Sequence, residues 1–290
     1  MKRFAFIQAW KKAFPIERLC TVMNVTSRGF RAWLTRPLSQ RQRDDMVLLA
    51  HIREQFRCSH KSYGRPRMTE ELQSLGFDVG HRRVGRLMRT NGIRPIGKRK
   101  YKATTDSGHN KAVAPNLLGR DFKAEGPNQK WAGDISYVWT QQGWLYLAVI
   151  MDLYSRRIIG WAVSKRLKRG LAIEALNMAI TLRRPGQKVI HHSDRGSQYC
   201  SHEYQRLLEK HKFDVSMSGK GCCYDNAVVE TFFKTLKAEL IWRSPWETRQ
   251  KVHAALFQYI NGFYNPIRRH STLGGMSPIN YENKGTEVTV

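Results

Sequence analysis

Near residue 129 the apolar pattern of this chain changes period, and that change limits the fold more than any other feature of the sequence. Upstream, apolar residues recur at helical spacing. Downstream, Gln129–Thr140 reads as a strand and Gln141-Gln142-Gly143 as a turn. Trp144–Leu153 is a continuous apolar strand, and Arg156–Val163 is a third, rich in Ile and Trp. A helix at Gly170–Leu182 follows, then a short buried strand at Lys188–His192, a helix at Ser201–His211 and a fifth strand at Phe213–Met217. Three meandering strands followed by alternating helices and strands predict an α/β domain with a mixed five-stranded sheet flanked by helices. The loop Ser218–Tyr224 leads into a helix at Asn226–Leu240. One more helix runs from about Pro245 to Tyr264 and ends at Asn265-Pro266.

The region before the sheet reads as all-helical. Residues 4–36 read as two short helices, with Ile16–Met23 apolar at helical spacing, Thr26 or Ser27 as the cap of Ser27–Leu34, and Pro37 as the stop. Residues 41–57 form a longer amphipathic helix. Tyr63-Gly64-Arg65-Pro66-Arg67 is a turn crowded with guanidinium groups. Met68–Leu75, the turn Gly76–Gly80 and His81–Asn91 then read as a helix-turn-helix, closed by Gly92 and Pro95. The domains expected are a helical hairpin at 1–40, a helix-turn-helix-like DNA-binding region at 41–95, a basic linker at 96–125 and the sheet domain at 126–285.

Net charge is +27, of which residues 1–120 carry +18. Such a field selects a polyanion, and nucleic acid fits best. No apolar run is long enough to span a membrane, and no signal peptide is visible. Five cysteines without paired C-x-x-C spacing exclude a zinc framework and point to a reducing cytosol. Cys222-Cys223 read as small loop residues rather than reactive thiols. In the last helix of the helix-turn-helix, Val84, Leu87 and Met88 face inward. Arg82, Arg83, Arg86 and Arg89 stay outside without Asp or Glu at helical spacing, which favours phosphate contact over a merely solvated face. Lys98-Arg99-Lys100-Tyr101-Lys102 either tracks a DNA backbone or is a plain linker.

Three carboxylates stand out in the sheet domain. Asp134 sits in the first strand, Asp194 just past the end of the fourth, and Glu230 in the following helix; 59 residues separate the first pair and 35 the second. An unpaired Asp134 would not be buried beside Trp131, Ile135 and Val138. Carboxylates gathered together repel, so the cluster needs a cation. Oxygen ligands select Mg²⁺, with Mn²⁺ as substitute, and two such ions suit phosphodiester displacement. Asp152 reads as a turn-ordering residue and Asp225 as a cap for the Glu230 helix. His191 and His192 lack zinc spacing. Asn226, Lys234 and Lys237 lie on the same helical face as Glu230.

These residues and their surroundings resemble the DDE transposases of the IS3 family of bacterial insertion sequences and their retroviral-integrase relatives. The resemblance rests on the 35-residue Asp194–Glu230 interval with Lys237 seven residues on, on His192-Ser-Asp-Arg-Gly-Ser-Gln-Tyr199, and on Tyr264-Asn-Pro-Ile-Arg-Arg-His-Ser-Thr-Leu273, and it runs from about residue 45 to 282. It implies an RNase H-like catalytic core and a triad of Asp134, Asp194 and Glu230 that holds two Mg²⁺ ions. It also implies DNA contact by Lys237 and a site bordered by Arg268, Arg269 and His270. Further expected DNA contacts are Lys234, Asn226, Arg195, Arg65, Arg67, Arg82, Arg83 and Arg86. The implied partners are double-stranded DNA of element ends and target, further copies of the chain on DNA, and an upstream-frame product joined by frameshift; the implied location is the bacterial cytosol, at the nucleoid. An RNase H-like nuclease that only hydrolyses, and a DNA-binding regulator with a degenerate core, are the competing readings. The intact triad and Lys237 argue against the regulator.

Overall fold

The structure, a computed structural model, describes residues 2–95, 113–186, 188–219 and 223–287. The chain divides into two compact units, Met1–Ile52 and Arg53–Val290. The basic stretch 98–102 and Cys222 lie outside the described residues.

In the first unit there are three short helices before residue 36, not two: α1 (Lys2–Trp10), α2 (Ile16–Val22) and α3 (Ser27–Thr35). The extra helix exists because Phe4 and Ile7 stand one turn apart and pack with Leu19, Cys20 and Phe30. Thr26 is the α3 cap, its hydroxyl accepting from the Gly29 N–H at 3.1 Å. Arg36 is extended ahead of Pro37, which ends the helix there. Helix α4 (Gln40–Cys58) begins in this unit and buries Leu48 and Ile52.

The second unit opens with α5 (Arg65–Ser74) and α6 (His81–Thr90), which bury Met68, Thr69 and Leu72 on one helix and Val84, Leu87 and Met88 on the other. Their turn uses Gly76 at φ +87°, a left-handed conformation that glycine adopts without steric cost.

Strands β1 (Lys130–Thr140), β2 (Gly143–Asp152), β3 (Ile158–Ser164), β4 (Ile190–Ser193) and β5 (Asp214–Met217) form one sheet in the order β3-β2-β1-β4-β5. The β1–β2 and β2–β3 pairs are antiparallel, while β4 runs parallel to β1 and β5 parallel to β4. This is the mixed sheet the sequence predicts. Helix α7 (Arg169–Arg183) lies directly on β3: a Cβ added at Gly160 would stand 2.1 Å from the Ala175 carbonyl oxygen. The core beneath it joins Trp131, Ile150, Leu176 and, from α8 (His202–Lys210), Tyr204 and Leu208.

The expected linker is not loose where it is described. The Leu117 N–H donates to Ser216 Oγ at 2.9 Å, and the Pro115 carbonyl accepts from the Met217 N–H at 3.2 Å, so this segment is tied to β5. Helix α9 (Ala227–Glu239) crosses β1. Helix α10 (Arg249–Phe257) starts four residues later than the sequence predicts because Thr248 caps it, accepting from the Lys251 N–H at 3.1 Å; it then continues as a π-helical stretch, Gln258–Tyr264. Asn265 bonds both the N–H and the carbonyl of Ile158 at 2.9 Å, acting as a strand neighbour at the β3 edge. A last helix, α11 (Pro278–Glu287), adds to the elements the sequence predicts.

Candidate active site

Register brings the first two carboxylates together. Ala132 pairs with His192 across the parallel β1–β4 ladder. Continuing that register two residues sets Asp134 beside Asp194, at the roughly 4.8 Å spacing of neighbouring strands. Asp194 falls just beyond the C-terminal end of β4, where ligands bind in open sheets. There its carboxylate accepts from the Gly196 N–H at 2.8 Å, which fixes the loop that follows.

Helix α9 delivers the third. Asn226, at its N-cap, donates from Nδ2 to the Gly133 carbonyl at 3.2 Å, one residue before Asp134. Glu230 lies one turn further along, on the same side. Asn226 is therefore a pin between helix and strand, and its amide oxygen is buried without a hydrogen-bond partner.

Electrostatics tie Asp134 to both other carboxylates. Burial pushes the Asp134 carboxyl well above the ordinary carboxylate range, the negative charge of Asp194 pushes it further, and Glu230 adds to the effect. The Ile135 N–H, 2.8 Å from Asp134 Oδ1, and the Lys237 ammonium work in the opposite direction. Lys237 Nζ stands 5.1 Å over the Tyr137 ring, and burial lowers its pKa while Asp134 raises it. Lys234 pairs with Glu230 at 3.2 Å, as expected from helical spacing. Among the described residues no three Asp, Glu, His or Cys form a ready metal cage. The donor set nevertheless suits a hard cation: all the oxygens are carboxylate, and Asp134 is destabilised as an anion by burial and by the neighbouring carboxylates despite the Lys237 ammonium.

Other expectations need correcting. Arg268 is expected at the DNA surface, but it is 5% exposed and grips Glu239 through two bonds, Nε–Oε2 at 2.9 Å and Nη2–Oε1 at 2.7 Å. Arg269 is expected there too. Its Nε donates to Glu71 at 2.6 Å, Nη1 to the Gly275 carbonyl at 3.1 Å and Nη2 to Ser74 at 2.8 Å, so it clamps α5 to the C-terminal turn. His270 is half-buried, and desolvation, with the charge of nearby Arg268, lowers its pKa to about 3. Arg195 directs Nε to the Ser218 carbonyl at 2.6 Å, holding the Asp194 loop. Asp225 does not cap α9. It is buried and accepts from the Gly219 N–H at 2.8 Å, Arg120 Nε at 2.9 Å and Asn116 Nδ2 at 3.0 Å, which joins the linker to the loop before α9.

Asp152 does order its turn, accepting from the Tyr154 N–H at 3.0 Å and the Asn128 N–H at 2.8 Å. The histidines are core residues: His191 Nε2 lies 3.0 Å from the Tyr204 hydroxyl, and His192 bridges Ser216 at 2.8 Å and Ser218 at 3.2 Å. Burial lowers their pKa values to about 3 and about 4, so both are neutral at physiological pH.

On the helix-turn-helix, Arg65, Arg82 and Arg86 converge with Arg89 and Arg94 around a groove of 490 Å³. Gly85 makes room for it, since a Cβ there would meet Arg65 Cδ at 2.7 Å. Arg83 turns partly inward, with Nη2 buried, and half-buried Arg67 lies 5.9 Å over the Tyr63 ring. Sequence reasoning misses Arg94, whose only signal is its place after the helix-closing Gly92.

A helix-turn-helix ahead of an RNase H-like sheet with converging carboxylates defines the DDE class of polynucleotidyl transferases. Family models agree: an HTH-like domain matches residues 42–101, and integrase core domains match 124–223 and 230–285. Transposase InsF for insertion sequence IS3A of Escherichia coli K12 is 44% identical over 97% of this chain and 99% of its own length. An uncharacterized 31 kDa protein of insertion element IS600 from Shigella sonnei is 41% identical over 92% of this chain and 98% of its own. The catalytic core of HTLV-2 integrase, solved in complex with magnesium, aligns with 55% of this chain and 98% of that one at 18% identity and a TM-score of 0.42. The chain belongs to the IS3 family of insertion-sequence transposases. It is a DDE-type transposase that acts on DNA.

Proposed function

We propose that Asp134, Asp194 and Glu230 are the metal-binding catalytic triad of this transposase and that they serve both DNA cleavage and strand transfer. The observation that carries this reading is geometric: the β1–β4 register sets Asp134 beside Asp194, and Asn226 pins the Glu230 helix to Gly133; the raised carboxyl of Asp134, to which both other carboxylates contribute, agrees with it. Two Mg²⁺ ions, with Mn²⁺ as substitute, would activate the attacking oxygen and stabilise the leaving one. Glu230 would leave Lys234 to join them, freeing that ammonium for a phosphate. Lys237, held over Tyr137, would set the scissile phosphate against the carboxylates. Water attacks phosphorus at the element end and the P–O3′ bond breaks, leaving a 3′ hydroxyl; that hydroxyl then loses its proton and attacks a target phosphodiester, joining to the target 5′ phosphate as the target P–O3′ bond breaks and its 3′ oxygen leaves with a proton. Neither step needs a covalent protein intermediate.

The triad and its helices, residues 126–285, would form the catalytic domain, and 41–95 a region whose Arg65, Arg82 and Arg86 meet phosphates, with the basic stretch between them as linker. The remaining expectations are several copies on paired DNA ends, an upstream-frame product as fusion or partner, and a place in the bacterial cytosol at the nucleoid. Among the described residues no helix is long and apolar enough to cross a membrane. The test incubates the chain, alone and fused to the upstream product, with pre-cut element ends, target duplex and Mg²⁺, and maps the products. Joined ends support the reading. Hydrolysis without joining, under every condition, would make the chain a nuclease instead.

A further inference from the structure

The strand that carries Asp134 ends in aromatic rings that remain largely open to solvent. Its inward face holds Ile135, and across the ladder Tyr146 packs on the same core. Beyond them that face runs into solvent as Tyr137, 42% exposed, and Trp139, 59% exposed, with Trp144 of β2, 43% exposed. The rings support one another edge-on: Tyr137 to Trp144 at 5.0 Å between centroids and Trp139 to Trp144 at 4.8 Å. Burying rings of this size is worth far more than leaving them in water, so their exposure beside a catalytic site calls for an occupant.

Two neighbours specify it. The ring of Tyr137 lies under the Lys237 ammonium at 5.1 Å, so the aromatic surface is continuous with the group facing Asp134. Tyr146 pairs with Ser164 at the end of β3, and the next residues, Lys165, Arg166 and Lys168, are exposed cations. The same loop reaches the Asp194 loop, where Gln198 Nε2 donates to the Leu167 carbonyl at 3.4 Å. A second copy of the chain docking here about a two-fold axis would set one cationic rim against its twin, at an electrostatic cost. A nucleic-acid strand satisfies both rim and rings. Intact duplex hides its base faces by stacking; unpaired bases expose them to aromatic side chains.

We propose that Tyr137, Trp139 and Trp144 form a stacking platform for unpaired bases of the DNA strand leaving the active site, with Lys165, Arg166 and Lys168 along its backbone. The proposal rests on the DNA-processing reading above and deepens it: the chain holds locally melted DNA next to the cut.

The test measures binding of the full-length chain, without divalent metal, to a labelled duplex with a short single-stranded tail and to the same duplex made blunt. Wild type should prefer the tail. Trp139→Ala and Trp144→Ala should each lower that preference by about fivefold or more and leave blunt-duplex affinity in place, while Trp139→Phe should keep most of it. Equal losses on both duplexes, or no loss on either, would overturn the platform. So would light scattering that shows the Ala variants disrupting self-association with tail preference intact, because the rings would then serve a second copy. Since no chemistry is involved, a chain that grips the tail but never cuts loses only the catalytic reading. One that cuts but ignores the tail loses only the platform.

Discussion

Asp134 takes its properties from its neighbours. On a buried strand beside Asp194 it is costly as an anion, a cost that a bound cation would offset. Asp134→Asn should therefore raise the melting temperature of the metal-free chain at neutral pH while abolishing any stabilisation by Mg²⁺. Differential scanning fluorimetry with and without the ion reads both, and an unchanged Mg²⁺ shift would remove Asp134 from the ligand set. Asp152 supplies the contrast. Burial raises its pKa from 3.8 to about 6, against the pull of two backbone N–H groups and Arg183. The folded state thus binds the proton more tightly than the unfolded chain, so this carboxyl favours stability at low pH and its contribution is lost as pH rises through about 4 to 6. Asp152→Asn should flatten that part of the pH–stability curve yet still cut DNA. A curve unchanged in shape would show that Asp152 titrates normally.

Elements are easier to read from this sequence than the tasks of their side chains. The five strands are legible because long apolar runs and turn residues alternate from Gln129 to Met217, and register then makes Asp134 and Asp194 neighbours. Helix α1 escapes notice because its apolar partners lie outside it, Leu19 and Cys20 in α2 and Phe30 in α3. Arg268 and Arg269 mislead for a physical reason: a guanidinium suits a phosphate and a buried carboxylate equally well, and Glu239 and Glu71 lie too far off in sequence to signal the pairing. The aromatic platform is hidden because Tyr137, Trp139 and Trp144 look like ordinary strand residues until their exposure on the folded sheet is seen. One consequence concerns the Arg268–Glu239 pair. Arg268→Ala should destabilise the fold by about 3–5 kcal/mol, since it strands Glu239 as a buried charge, and Glu239→Gln in the same chain should recover part of the loss. Chemical denaturation measures it. A variant of full stability that binds DNA poorly would return Arg268 to the interface.

Across the whole molecule, a net charge of +27 makes attraction to DNA general, so specificity has to come from particular groups. The groove between α5 and α6 gathers five arginines, and removing the segment outright would also unseat the Arg269 clamp on Glu71. Point changes are the cleaner probe. Arg82→Gln and Arg86→Gln should each flatten the dependence of log K on log salt by about 0.9 for every phosphate left without its cation, without altering the Mg²⁺ response; an unchanged slope would make this a solvated face. If three distant carboxylates make one metal-dependent site, the cleavage rate on element-end DNA in Mg²⁺ should collapse in Asp134→Asn, Asp194→Asn and Glu230→Gln, each first shown to bind that DNA as wild type does. All three should bind and none should cut; any one of them cutting at near the wild-type rate would remove its carboxylate from the site.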